Sequence, residues 1–238
     1  AGNGDNVFRS GLGTNVITAG TGNNTIDYTL VTTTAVAISL ATGTATGTGL
    51  SDSFTGVENV IGSSQNDTIT GNSQINILNG GAGDDTIVGG GGNDTFYGGD
   101  GNDTITGGTG NDIIYAGNGD NTVYTGTSGA DFVYGGTGNN TFISQHAGVT
   151  YNGTNGANFV AGVYNTVNYA ADTAGLTINL LAGFGIGGMA NGDIYVATPT
   201  SGINSINKII AGSGNDSLTD SNGNDYIDGG SGGNVYNI

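Results

Sequence analysis

The chain contains no cysteine and no tryptophan, a single proline, a single histidine and only two basic residues, Arg9 and Lys208. Each shortage excludes something. Without cysteine there are no disulfides and no thiolate metal sites. Two basic side chains cannot build the positive surface that nucleic acid requires, so nucleic-acid binding is not expected. No apolar run is long enough to span a bilayer, so membrane insertion is not expected either. With so little proline and no Gly-X-Y period, the 50 glycines do not make a collagen. Long aliphatic side chains are too few for one thick globular core. A solenoid needs none, because each coil buries only a thin apolar column against its neighbours.

What is abundant is glycine and acid. The 19 acidic residues against two basic ones give a net charge of −17, which opposes compaction by self-repulsion. Divalent cations are the natural counter-charge. The chain is organised around Gly80 to Thr106, which reads GGAGDDTIV, GGGGNDTFY, GGDGNDTIT and continues as GGTGNDIIY to Tyr115. Each nine-residue block follows Gly-Gly-x-Gly-x-Asp-x-apolar-x. The first six positions predict a tight turn, with glycines supplying the unusual φ/ψ and letting carbonyls converge. The last three predict a short strand whose middle side chain points inward. Two blocks then complete one coil, so residues 18 apart stack at the strand spacing of about 4.8 Å. The predicted inward column is Ile69, Leu78, Ile87, Phe96, Ile105, Ile114 and Val123.

This stacking places Asp67, Asp85 and Asp103 along one edge and Asp94, Asp112 and Asp131 along the other. Bare stacked carboxylates repel, and an intervening Ca²⁺ with turn carbonyls around it reverses the sign. Softer metals are disfavoured by the absence of thiols and the single histidine.

The nine-residue pattern resembles the RTX (repeats-in-toxin) family of calcium-binding parallel β-rolls. The resemblance is strong over 62–143, good over 211–237 and confined to the glycine frame over 1–27. It implies the turn carbonyls and the sixth-position aspartates as ligands: Asp67, Asp85, Asp94, Asp103, Asp112, Asp131, Asp216 and Asp225, with the turns of Gly80, Gly83, Gly89, Gly92, Gly98, Gly101, Gly107 and Gly110. Where the sixth position is Asn6, Asn15, Asn24, Asn76, Asn121, Asn140 or Asn234, the charge is gone and an amide ladder is expected in place of metal.

Five segments follow from the period. Residues 1–27 are Asn-type repeats, 28–61 an irregular β section, 62–143 the calcium-binding roll, 144–210 a second irregular β section and 211–238 the C-terminal repeats. The irregular sections echo one another. Asn165-Thr166-Val167-Asn168-Tyr169 matches Asn24-Thr25-Ile26-Asp27-Tyr28, and Leu176 to Leu180 matches Val36 to Leu40. The period already runs at Ala1, which predicts no cleavable signal peptide. No helix is expected.

Competing motifs are weak. Gly229-Gly230-Ser231-Gly232-Gly233 spells G-x-S-x-G, but His146 precedes the serine and no helix follows. The G-x-G-x-x-G matches also lack a following helix. His146 reads as a surface loop residue, and the third-position threonines Thr21, Thr109 and Thr137 form too broken a row for an ice-binding face. A catalytic β-helix acting on polysaccharide would need Arg or Lys beside its acids. Tyr97, Tyr115 and Tyr134 fall on one outer face and should stack. An all-β parallel β-roll is therefore expected, non-enzymatic, calcium-dependent and secreted to the cell surface or medium. The expected role is a subunit or segment of a filament, surface layer or matrix adhesin that associates end to end and touches surface polysaccharide. The alternative is the calcium-binding C-terminal module of a secreted enzyme or toxin.

Overall fold

The computed structural model describes residues 2–152, 166–174, 176–179, 184–186, 194–195, 208–220 and 226–237. Among them there is no helix, hence none long and apolar enough to cross a membrane. The strands form two sheets, of 13 and 12 strands, into which successive repeats feed alternately. Pairing is parallel with an 18-residue offset: Thr86↔Thr104 and Ile87↔Ile105 in the twelve-stranded sheet, Phe96↔Ile114 and Tyr97↔Tyr115 in the thirteen-stranded one. Two nine-residue blocks therefore make one coil, as the period predicts. The one-residue insertion before Asp131 lengthens the offset to 19, pairing Ile113 with Phe132, and leaves the inward phase intact.

Between the sheets runs a column one side chain thick. Ile69, Leu78, Ile87, Phe96, Ile105, Ile114 and Val123 all have 0% exposure, and Ile26, Val60, Phe142, Val167, Ile209 and Leu218 extend the column in both directions. On the outside of the thirteen-stranded sheet, Tyr97, Tyr115 and Tyr134 stack with ring centroids 5.2 and 4.9 Å apart and planes within 9° and 12°. Stacked rings one coil apart add cross-strand stabilisation on a face that is otherwise wet.

The central strands are longer than the three residues expected. Thr86–Gly91, Thr95–Asp100 and Thr104–Thr109 each run six residues, because the glycines that open the next turn go on pairing, as in Gly99↔Gly117. Gly99 sits at φ +116°, and a Cβ there would run into the carbonyl oxygen of Gly81 one coil back. Only glycine lets two backbones lie that close with that dihedral.

The irregular section 28–61 contains an antiparallel meander, Ala37–Ser39, Thr44–Gly47 and Leu50–Thr55. It is spliced into the twelve-stranded sheet, pairing in parallel with Val16–Thr18 on one side and Thr68–Thr70 on the other. Its later echo begins the same way. Tyr28 and Tyr169 are both fully buried, and the amides of Val36 and Leu176 donate to the carboxylates of Asp67 (2.7 Å) and Asp216 (2.9 Å). The echo falls on the opposite sheet, where Thr177–Asn179 pairs antiparallel with Phe184–Ile186. In the second irregular section, residues 144–152 are described ahead of Thr166 and contain the strand Thr150–Asn152.

This packing predicts an asymmetry within one strand. Ile87→Ala, at 0% exposure, should cost roughly 2–5 kcal/mol. Thr86→Ala, on the solvent side of the same strand, should change stability by no more than about 0.5 kcal/mol. Urea unfolding midpoints of the two variants at one fixed calcium concentration check it.

Candidate metal centre

The sixth position of each repeat ends a turn and begins a strand, and there the stacked side chains meet. On the edge leading into the twelve-stranded sheet, the amide of Asp67 donates to Asp85 Oδ1 (2.7 Å), that of Asp85 to Asp103 Oδ1 (2.8 Å) and that of Asp103 to Asn121 Oδ1 (2.8 Å). On the other edge the amides of Asn76, Asp94 and Asp112 donate to Oδ1 of Asp94 (2.8 Å), Asp112 (2.8 Å) and Asp131 (2.9 Å). One carboxylate oxygen per turn is thus tied to the backbone of the preceding coil. The two edge columns drawn from the period are both present.

The other oxygen has no such bond. Oδ2 of Asp85, Asp94, Asp103, Asp112 and Asp216 is buried without a hydrogen-bond partner. A desolvated, unpaired carboxylate oxygen is costly and ordinarily calls for a proton or a cation. Four of these oxygens converge on the bare Cα of the turn's first glycine together with a carbonyl from the next coil. A Cβ at Gly89 would lie 2.6 Å from Asp94 Oδ2 and 2.5 Å from Gly107 O, and at Gly107 it would lie 2.7 Å from Asp112 Oδ2 and 2.8 Å from Thr125 O. Gly80 brings Asp85 Oδ2 together with Gly98 O, and Gly98 brings Asp103 Oδ2 together with Ala116 O. The fourth-position glycines Gly83, Gly92, Gly101 and Gly110 all take positive φ, which turns the backbone back on itself.

These donors fit calcium. Among the described residues no three His, Cys, Asp or Glu side chains converge on one point, so any shell here is completed by backbone carbonyls. An all-oxygen, mostly neutral shell around one or two carboxylates suits a hard cation of variable coordination number. The protein supplies little cationic counter-charge of its own. Arg9 pairs with Asp27 at 3.0 Å, and the Lys208 ammonium lies over the Tyr226 ring at 4.9 Å, both outside the carboxylate columns.

Not every aspartate in the pattern keeps a free oxygen. Asp67 has both oxygens bonded, to the Val36 amide and to the amide and hydroxyl of Ser63. Asp131 gives Oδ2 to His146 Nε2 at 2.8 Å. Asp225 lies outside the described residues. Two pairs of Asn positions behave as the expected amide ladder, with Nδ2 of Asn121 donating to Oδ1 of Asn140 (2.9 Å) and Nδ2 of Asn6 to Oδ1 of Asn24 (2.8 Å). The others do not: Nδ2 of Asn15 donates to Asp52 Oδ1 (2.8 Å), that of Asn76 to the Glu58 carbonyl (2.8 Å) and that of Asn234 to the Gly229 carbonyl (2.6 Å).

Three features were not foreseen. His146, read from sequence as a surface residue, has a side chain only 10% exposed and stands against Asp131. Asp52, from the out-of-frame meander, occupies a ladder step beside Asn15. It accepts from the Asn15 amide (2.9 Å) and side chain (2.8 Å), the Ser10 hydroxyl (2.6 Å) and the Tyr28 hydroxyl (3.2 Å), so protein groups hold both its oxygens. A second, exposed ladder runs through the fifth position in the opposite direction. The amides of Asn102, Asp120 and Asn139 donate to Oδ1 of Asp84, Asn102 and Asp120, each at 2.7 Å. Its signal was visible, since the fifth position of these blocks is Asn or Asp.

Burial pushes Asp85 and Asp112 up to about 7 and Asp94 and Asp103 up to about 6. The amide bonds to Oδ1 oppose the rise, and neighbouring carboxylates add to it, chiefly Asp103, Asp67 and Asp84 around Asp85. Groups whose folded-state values are raised bind protons on folding, so their contribution favours the fold below about pH 4 and is lost as pH rises through 6 to 7. The calcium-free chain should therefore melt at a higher temperature at pH 5 than at pH 8. Saturating calcium should reverse that order, because protons compete with the metal. Thermal melts followed by circular dichroism check both signs, and a calcium-free chain that is more stable at pH 8 contradicts them.

The description "RTX calcium-binding nonapeptide repeat (4 copies)" belongs to the family model that matches this chain, over residues 1–29, 52–87, 61–96, 70–105, 97–127, 125–144 and 201–236. No curated protein matches.

Proposed function

The chain belongs to the RTX calcium-binding nonapeptide repeat family, whose repeats are calcium-binding motifs typical of secreted proteins, and on that premise we propose that it is a calcium-dependent extracellular structural protein, a subunit or segment of a filament, surface layer or matrix adhesin. The observation that carries the calcium dependence is the set of buried Oδ2 atoms of Asp85, Asp94, Asp103 and Asp112, each left unbonded beside a carbonyl of the next coil. The residues that would hold calcium are these four aspartates with the carbonyls of Gly98, Gly107, Ala116 and Thr125, and Asp216 in the later repeats. A bound cation supplies the positive charge that lets stacked carboxylates ionise without repulsion. The chain does the rest: it fixes one oxygen of each carboxylate on an amide, keeps water off the other and stacks the turns in register. Because the site is assembled from several coils, binding free energy is folding free energy.

The structural role is supported by the form of the sheets. A parallel solenoid lengthens by adding coils along its axis. A second copy added along that axis would make a head-to-tail contact that does not close, and such contacts generate filaments. Surface polysaccharide is a further partner for the outer faces.

The test is electron microscopy and sedimentation of the purified chain in chelator and in millimolar calcium, with circular dichroism to register folding. Calcium-triggered β structure accompanied by fibres or sheets is the expected result. Calcium-triggered folding to a monomer would overturn the self-assembly and favour the accessory module of a secreted enzyme or toxin. Indifference to calcium would overturn the reading altogether.

A further inference from the structure

Each carboxylate column has to stop somewhere. On the edge leading into the twelve-stranded sheet the stop is a change of residue, since Asp103 is followed by Asn121 and Asn140, whose amides bond to each other. On the opposite edge the column Asp94, Asp112, Asp131 ends on an aspartate, and the coil after it departs from the glycine frame as Ser144-Gln145-His146-Ala147-Gly148-Val149. That turn is held by its own side chains. Gln145 Oε1 accepts from the Gly126 amide at 3.0 Å, the Ser144 hydroxyl donates to the His146 carbonyl at 3.0 Å, and Val149 is fully buried.

His146 occupies the third position of this turn, where it meets the last carboxylate. Its Nε2 lies 2.8 Å from Asp131 Oδ2, and its Nδ1 lies 2.9 Å from the Ala147 carbonyl oxygen. Both ring nitrogens are thus engaged by oxygens of the protein. The Asp131 side chain is fully buried, and its other oxygen takes the Asp112 amide at 2.9 Å. Asp112 and Asp94, one and two coils earlier, keep Oδ2 buried and unbonded.

We propose that His146 terminates the metal column of its edge. Its ring fills the step where one more cation would sit, so Asp131, although it matches the repeat pattern, bonds to the ring and holds no metal. The chain thereby carries a built-in stop that fixes how many cations this edge takes up and where the calcium-dependent roll gives way to the section that follows. The inference rests on the calcium reading of the preceding subsection.

Calcium stoichiometry of the whole chain, counted by calorimetric titration and by equilibrium dialysis, tests it. Relative to the unmodified chain, Asp112→Asn should lose one ion, Asp131→Asn should lose none, and His146→Ala should gain one. His146→Ala combined with Asp131→Asn should return to the original count. If Asp131→Asn loses an ion while His146 is in place, or if His146→Ala binds and folds with an unchanged count, the inference is overturned while the calcium reading stands. An unmodified chain that takes up no calcium overturns both. Should His146→Ala fail to fold, the comparison of Asp131→Asn with Asp112→Asn decides the matter by itself.

Discussion

One constraint governs the molecule: stacked turns bury carboxylates that the backbone satisfies only by half. In each core turn Oδ1 receives an amide from the preceding coil, and Oδ2 of Asp85, Asp94, Asp103 and Asp112 receives nothing. A proton can neutralise such an oxygen, as the raised values near 6 and 7 indicate. Near neutral pH a hard cation does so without giving up the charge that makes the amide bonds strong. The net charge of −17, offset by two basic residues engaged elsewhere, gives the same answer on the scale of the whole chain.

The rest of the architecture depends on this. The apolar column is one side chain thick, so no coil is stable without its neighbours, and stability accumulates along the stack. Where the chain does not rely on a cation it uses other devices at the same step of the ladder. Asp52 is held by Ser10, Asn15 and Tyr28, Asp67 by Ser63 and Val36, Asp131 by His146, and Asn121 with Asn140 and Asn6 with Asn24 by amide pairs. The stretch from Asp85 to Asp112 is therefore a metal-requiring window bounded on both edges by turns that satisfy themselves, and Asp216 stands apart from it in the later repeats. If calcium is scarce where the chain is made and plentiful where it works, this window makes folding conditional on the destination.

The sequence made the frame of this account legible and left its boundaries obscure. The nine-residue period determines the 18-residue offset, the inward column and the pairing of Asp85 with Asp103 and of Asp94 with Asp112, because a solenoid converts spacing directly into contact. It could not reveal which aspartates are already satisfied. Ser63 is a local exception inside a conforming block, while Asp52 and His146 come from segments outside the frame and reach their ladder partners, Asn15 and Asp131, across 37 and 15 residues. The meander over 28–61 was legible as strands but not as an antiparallel splice, since alternation of apolar residues carries no information about strand direction. The six-residue strands were missed because glycine reads as turn, whereas here it pairs with glycine across coils.

The most direct test of the central claim is a crystal structure grown in calcium, with anomalous scattering used to locate the ions. The account predicts calcium peaks about 2.3–2.6 Å from Oδ2 of Asp85, Asp94, Asp103 and Asp112. Peaks confined to the exposed fifth-position carboxylates, or a folded roll with no calcium beside these four oxygens, would contradict it.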